Sequence, residues 1–142
     1  MKNDFSKQGE ILKTVGRGNC AVTDGVFRSV DAYSCFGNPE WKNYTMSFKA
    51  RAPKDAEQVQ IWAGFRAYNR FDRYVLGLKG GLQDDIYLMR LGYMGTDEFL
   101  GVRPLGFHPV PGEWYNIKVE VCGSRIRIFL NNEKEPRIDV TD

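Results

Sequence analysis

The segment from Gly112 to Asn132 constrains this chain most, because it reads as a β-hairpin with almost no alternative. Tyr115, Ile117, Val119 and Val121 alternate with Asn116, Lys118 and Glu120, a period-two pattern that turns the apolar set toward a core and the polar set toward water. Gly123-Ser124 supplies the turn. Ile126, Ile128 and Leu130 resume the alternation against Arg125 and Arg127, and Asn131-Asn132 ends the second strand with residues that tolerate left-handed backbone angles.

The rest of the chain follows the same grammar. Gly, Pro, Asn and Asp punctuate it about every ten residues, and no amphipathic helix stands out, so the expected class is all-β, a two-sheet antiparallel sandwich. A length of 142 residues fits one such domain, 1–142. Strands are expected near Glu10–Val15, Cys20–Thr23, Val26–Ser29, Ala32–Phe36, Tyr44–Ala52, Gln58–Ala67, Arg73–Lys79, Asp85–Leu91, Phe99–Arg103, Trp114–Val121 and Arg125–Asn131. The expected core holds Tyr44, Met46, Phe48, Ile61, Phe65, Tyr74, Leu76, Ile117, Val119, Ile126 and Ile128.

Alternation also says what faces water. Behind the apolar set Val59, Ile61, Ala63 and Phe65 lies a row of Gln58, Gln60, Trp62 and Arg66, amides, an indole and a guanidinium where a plain surface would carry Lys, Glu, Thr and Ser. Arg73, Val75, Gly77 and Lys79 of the following strand share that outer face. In Asp85–Leu91 both sets are largely apolar, and Arg90 is expected outward.

Charge and cysteines exclude more than they name. Twenty Lys and Arg against 18 Asp and Glu leave a net charge of +2, too balanced to point to nucleic acid or a membrane surface as partner. Cys20, Cys35 and Cys122 lack the spacing of a zinc or redox motif and read as small thiols. A Cys20–Cys35 disulfide would clip the first strands in an oxidising compartment, and the sequence leaves that open. No metal site is expected from motif spacing.

A resemblance enters with the phrases "DGVF" at Asp24–Phe27, "WKNYTMSFKARAP" at Trp41–Pro53, "AGFRA" at Ala63–Ala67, "RYVLGLKGG" at Arg73–Gly81, "DDIYLMRL" at Asp84–Leu91, the "PGEWY" hairpin and the closing "EPRIDVTD". In this order the chain resembles the concanavalin A-like jelly rolls attached to bacterial glycoside hydrolases, and is similar to levan-binding carbohydrate modules and 3-keto-disaccharide hydrolase-like domains. The resemblance implies a carbohydrate-binding or accessory module of a larger polysaccharide-processing protein, with a glycan and an attached catalytic domain as partners. It also implies an extracellular or periplasmic setting if the parent protein is secreted, and it leaves calcium open, since jelly rolls often hold one with loop carbonyls and carboxylates and Asp24, Asp139 and Asp142 fall at strand ends. Domains of this kind carry a further strand after the "VTD" phrase. Either the N-terminal strands close the sandwich here, or that strand lies outside the chain.

The residues do not favour catalysis. The adjacent pairs Asp84-Asp85 and Asp97-Glu98 point to opposite faces of an extended strand and cannot converge on one glycosidic bond. His108 is the only histidine and is expected to be a loop residue bonded to backbone. Sugar C–H faces stack on indole rings while planar amides, guanidinium groups and carboxylates hold hydroxyls. Gln60, Trp62, Arg66, Arg73, Asp85 and Arg90 are therefore the candidate carbohydrate-binding set. A cross-strand ladder of Arg66, Arg73 and Arg90 neutralised by Asp72, Asp84 or Asp85 is the structural alternative, and Trp41 and Trp114 read as core or corner packing. A 3-keto-disaccharide hydrolase-like enzyme and a structural or protein-interaction sandwich stay open as other functions.

Overall fold

Two four-stranded antiparallel sheets packed face to face hold the core of this protein. A computed structural model of the chain describes residues 13–35, 40–69, 71–92 and 94–142. The described strands are β1 (Lys13–Thr23), β2 (Val26–Cys35), β3 (Tyr44–Ala50), β4 (Gln60–Phe65), β5 (Arg73–Lys79), β6 (Asp85–Leu91), β7 (Glu98–Pro104), β8 (Tyr115–Cys122), β9 (Arg125–Leu130) and β10 (Ile138–Thr141). The chain divides into two units, Met1–Asn38 and Pro39–Asp142.

The first unit contains the β1–β2 hairpin. Asp24 and Gly25 both take positive φ, 53° and 71°, the Asp-Gly turn that matches the twist of paired strands. The expected breaks within each strand are absent: β1 runs through Gly16 and Gly18, with a register shift between Gly16 and Asn19 taking up the irregularity. That register sets Cys20 opposite Ser29, to whose hydroxyl the thiol donates at 3.6 Å, and sets Cys35 opposite Lys13. Cys20 and Cys35 are thus far apart along the ladder. Residues 10–12 and Phe36, included in the expected strands, lie outside the described residues.

The second unit is the sandwich. One sheet has the order β4-β5-β6-β7 and the other β10-β9-β8-β3. From the first, Ile61, Phe65, Leu76, Leu78, Ile86 and Leu88 face inward; they meet Ile117, Val119, Val121, Ile126, Ile128 and Leu130 of the second. Tyr44, Met46, Phe48 and Tyr74 are half-buried against that cluster, so every expected core residue contributes to it. The predicted hairpin is present with Cys122 opposite Arg125, and Gly123 supplies the positive φ, 56°, of a two-residue turn. Asn131 and Asn132 take the left-handed angles expected of them.

Two departures from simple alternation matter for the outer surfaces. Phe129 points away from the core yet is buried, because the Lys118 ammonium lies 3.9 Å over its ring. On β7, Gly101 pairs with Leu88 and Phe99 with Met89, leaving Leu100 as an extra residue. This bulge lets Leu100 pack on the core while Phe99 emerges on the opposite face. Strand β10 lies outside the predicted set, because Ile138–Thr141 is too short after Pro136 to show a period by itself.

Candidate functional site

The outer face of the β4–β7 sheet carries the unusual row read in the sequence. Its register places Trp62, Gly77, Tyr87 and Val102 side by side across four strands, with Gln60, Lys79, Asp85 and Pro104 as the neighbouring row. Trp62 is 67 % exposed. Gly77 makes this geometry possible: a Cβ there would lie 2.0 Å from Cζ of Tyr87, so the Tyr87 ring lies flat over the bare backbone. That ring is buried, which pushes its phenol pKa up, and Phe99 meets it edge-on at 5.6 Å. Arg73 lies along Gly64, where a Cβ would stand 3.2 Å from its Cδ, and Gly64 is two residues from Trp62 on the same face.

Gln60, Trp62 and Arg73 therefore share one face, as expected, and Asp85 joins them because β6 turns outward the set opposite to the one expected. Arg66 and Arg90 do not. Arg66 has φ 47°, which takes it out of the strand; its guanidinium donates to the carbonyl oxygens of Gly123 and, at 3.1 Å, Lys42. It fastens the β8–β9 turn, which Asn43 also holds through a 2.7 Å hydrogen bond from the Gly123 N–H. Arg90 is the Cα partner of Tyr74 and shares the inner face with Ile86 and Leu88, correcting its expected outward direction. It can occupy that face because it sits at the end of the sandwich, where Asp142 accepts from it at 2.7 and 3.0 Å and Glu98 at 2.7 Å. The Asp142 charge foremost raises the Arg90 pKa. Tyr74 donates to the same Asp142 at 2.7 Å, and burial with that bond raises its own pKa. The ladder held open as the structural alternative loses two of its members: Arg66 bonds to backbone carbonyls, and Arg90 takes Asp142 and Glu98 rather than Asp72, Asp84 or Asp85.

Beyond Asp85 the face runs into a recess of about 680 Å³, bounded by Gln83, Asp84, Asp85, Val102, Phe107 and His108; Asp84 lies outside β6, so it and Asp85 both border this recess instead of pointing to opposite faces as expected. His108 turns to a side chain there and not to the backbone expected for it. Its Nδ1 stands 3.1 Å from both carboxylate oxygens of Asp84. A carboxylate only accepts, so Nδ1 carries the proton and Nε2 is turned outward. The loop that brings His108 here is held firmly. Leu105 is buried and its N–H donates to the Asp84 carbonyl at 2.8 Å; Arg137 donates to the carbonyls of Pro104 and Leu105; the Val110 N–H donates to the Tyr115 hydroxyl at 2.7 Å. Phe107 stacks on Tyr115, centroid to centroid 6.1 Å.

Three other carboxylates are engaged elsewhere. Asp97 accepts from the Gly92 N–H at 3.3 Å, Asp139 is paired with Arg125, and Glu120 lies between Lys118 and Arg127. Among the described residues no three His, Cys, Asp or Glu side chains converge as a metal site would require. Trp114 is half exposed on the outer face of the other sheet with the Arg51 guanidinium 4.7 Å above its ring, rather than packed in the core. Trp41 is also half exposed, tilted against Tyr44. Chemically, the β4–β7 face offers one open indole, an amide, a guanidinium and carboxylates around it, a set suited to flat, hydroxyl-rich ligands.

No protein-family model matches the chain, and no curated protein matches it. Among solved structures the chain is similar to the carbohydrate binding module CBM66 from Bacillus subtilis, with a TM-score of 0.69 over 94 % of this chain and 81 % of that one. At 16 % identity the likeness is one of fold, and it agrees with the antiparallel sandwich described above.

Proposed function

We propose that this domain is a non-catalytic carbohydrate-binding module, and that it holds a glycan on the outer face of the β4–β7 sheet. Trp62 is the stacking platform, and Gln60, Arg73 and Asp85 are the hydrogen-bonding groups around it. Its role would be to keep a polysaccharide close to an attached processing domain, raising the local substrate concentration through linkage. The observation that carries the reading is the 67 % exposure of an indole on the edge strand of an ordered sheet face, beside the flat Tyr87 ring and the amide, guanidinium and carboxylate groups of the same face. The fold likeness to a module whose name states carbohydrate binding supports it.

The test is Trp62→Ala, read in affinity and stability together. An aromatic side chain presents about 150–250 Å², so covering one face of an indole two-thirds exposed removes about 50–85 Å² from water, about 1–2 kcal/mol. Glycan affinity is expected to fall about tenfold to thirtyfold in affinity electrophoresis, with the melting temperature lowered by only a few degrees. Unchanged affinity, or a stability loss of the roughly 3–5 kcal/mol that a packed indole costs, overturns the assignment. A second reading draws on Phe99 and Val102, exposed apolar neighbours of Tyr87 that suit a protein partner. Under that reading Phe99→Ala, not Trp62→Ala, abolishes partner binding and no glycan competes.

A further inference from the structure

We infer that the binding face continues over the end of β6 into the recess at His108, and that this recess takes a second, uncharged ring of the same glycan. The inference rests on the reading of Trp62 above and extends it. Three observations carry it. Asp85 belongs both to the Gln60, Lys79, Asp85 row of the sheet face and to the wall of the recess, so the two surfaces are continuous. At about 680 Å³ and open to solvent, the recess has room for a ring laid against its wall rather than enclosed by it. Its wall is preorganised, because the loop bearing Phe107 and His108 is held by Arg137, Tyr115 and the Leu105 N–H, so little ordering cost remains on binding.

The chemistry of the wall selects the ligand. Phe107 is partly exposed and offers apolar surface to a C–H face, while the Asp85 carboxylate accepts from hydroxyls and the outward Nε2 of His108 and the Gln83 amide bond to them. Asp84 and Asp85 place negative charge at one site, which disfavours a uronate or sulfated ring and favours a neutral one. Asp85 is two strands across and one residue pair along from Trp62, about 12 Å between Cα positions from strand spacing and rise. That separation exceeds one ring, so a single ligand can reach both places only as an oligosaccharide.

Affinity electrophoresis of the whole chain in gels containing a soluble β-glucan, a mannan, a xylan or a fructan, with polygalacturonate as the acidic probe, tests this. His108→Gln and Asp85→Asn are exposed or half-exposed conservative changes; Phe107→Ala is added with its melting curve, since its ring also supports Tyr115. The expected result is that a neutral polymer retards the parent, that each recess variant weakens it about threefold to tenfold, the loss of roughly one hydrogen bond or partial ring contact, and that polygalacturonate does not retard it. Full retardation of all recess variants with loss in Trp62→Ala overturns this inference and leaves the Trp62 reading standing. Loss in the recess variants with none in Trp62→Ala overturns the shared site, and retardation by polygalacturonate equal to a neutral polymer overturns the selectivity. No retardation by any polymer overturns both.

Discussion

Gly77→Ala probes the construction of the site from a position that itself offers no side chain. The residue has an ordinary strand backbone that alanine adopts without strain, so any effect comes from the added methyl. That Cβ would lie 2.0 Å from Cζ and 2.3 Å from the hydroxyl of Tyr87. Carbon atoms rest about 3.5–4.0 Å apart, so the ring must withdraw by about 1.5–2 Å. An exposed ring would swing away cheaply. Tyr87 is buried and wedged against Phe99, so the displacement is resisted and an overpacking cost of about 1–3 kcal/mol applies. The reduced freedom of the unfolded chain returns about 0.4–1 kcal/mol. The net expectation is a loss of about 1–2 kcal/mol, or about 3–8 °C in melting temperature for a domain of this size. Thermal unfolding followed by circular dichroism gives the number, and Trp62 fluorescence reports the shift of its neighbour. Repeating the change in a Tyr87→Val background removes the obstacle, and there Gly77→Ala is expected to be neutral or mildly stabilising. Equal losses in both backgrounds, or stabilisation of the parent by Gly77→Ala, would refute the reasoning.

Other consequences follow from the same structure. Val119→Asp places an unpaired carboxylate between Met46 and Ile128 at a position with no solvent exposure, a cost of several kcal/mol against a total stability of about 5–15 kcal/mol; near-ultraviolet circular dichroism is expected to show loss of tertiary structure. The Arg125 hydrogen bonds hold the Asp139 pKa below its ordinary value, so this pair stabilises the fold above about pH 4 and its contribution disappears as pH falls through the lowered value. Asp139→Asn is therefore expected to lower the melting temperature at pH 7 and to shrink its difference from the parent in acid; a difference that grows on acidification contradicts the pairing. Arg66→Ala removes the one Nη2 that donates to both the Lys42 and the Gly123 carbonyls, and hydrogen exchange at the β8–β9 turn is expected to accelerate.

The sandwich was legible because its central strands alternate cleanly: Tyr115 to Val121 is buried at every second residue, and Tyr44 to Ala50 is half-buried at every second residue. The same rule located Gln60, Trp62 and Arg73 on one face, since all lie within regular strand, but it put Asp85 of β6, like Arg90, on the wrong side. It failed where regularity ends. Arg66 follows β4 in a left-handed conformation that reverses its direction, and no residue beside it signals this. In β6 both faces are apolar, so the placement of Arg90 depended on finding its counter-charge, which is Asp142, 52 residues away. The His108 pair was hidden for a like reason. Its partner Asp84 is 24 residues upstream, and only the folding of the loop after β7 onto the start of β6 brings them together. Local pattern fixes the face of a strand residue; a tertiary partner for a charged side chain at a strand end or in a loop leaves no periodic trace.

The central claim, that the outer face of the β4–β7 sheet binds glycan, is tested most directly by mapping the contact in solution. Nitrogen-15 spectra recorded while an oligosaccharide of the best-retained polymer is added are expected to show the Trp62 indole, the Gln60 amide and the Arg73 guanidinium shifting together. Ser47 and Lys118, on the outer face of the opposite sheet, are expected to stay fixed. Shifts concentrated at Ser47, Asn116 and Lys118 with Trp62 unmoved, or no shift with any glycan tested, would contradict it.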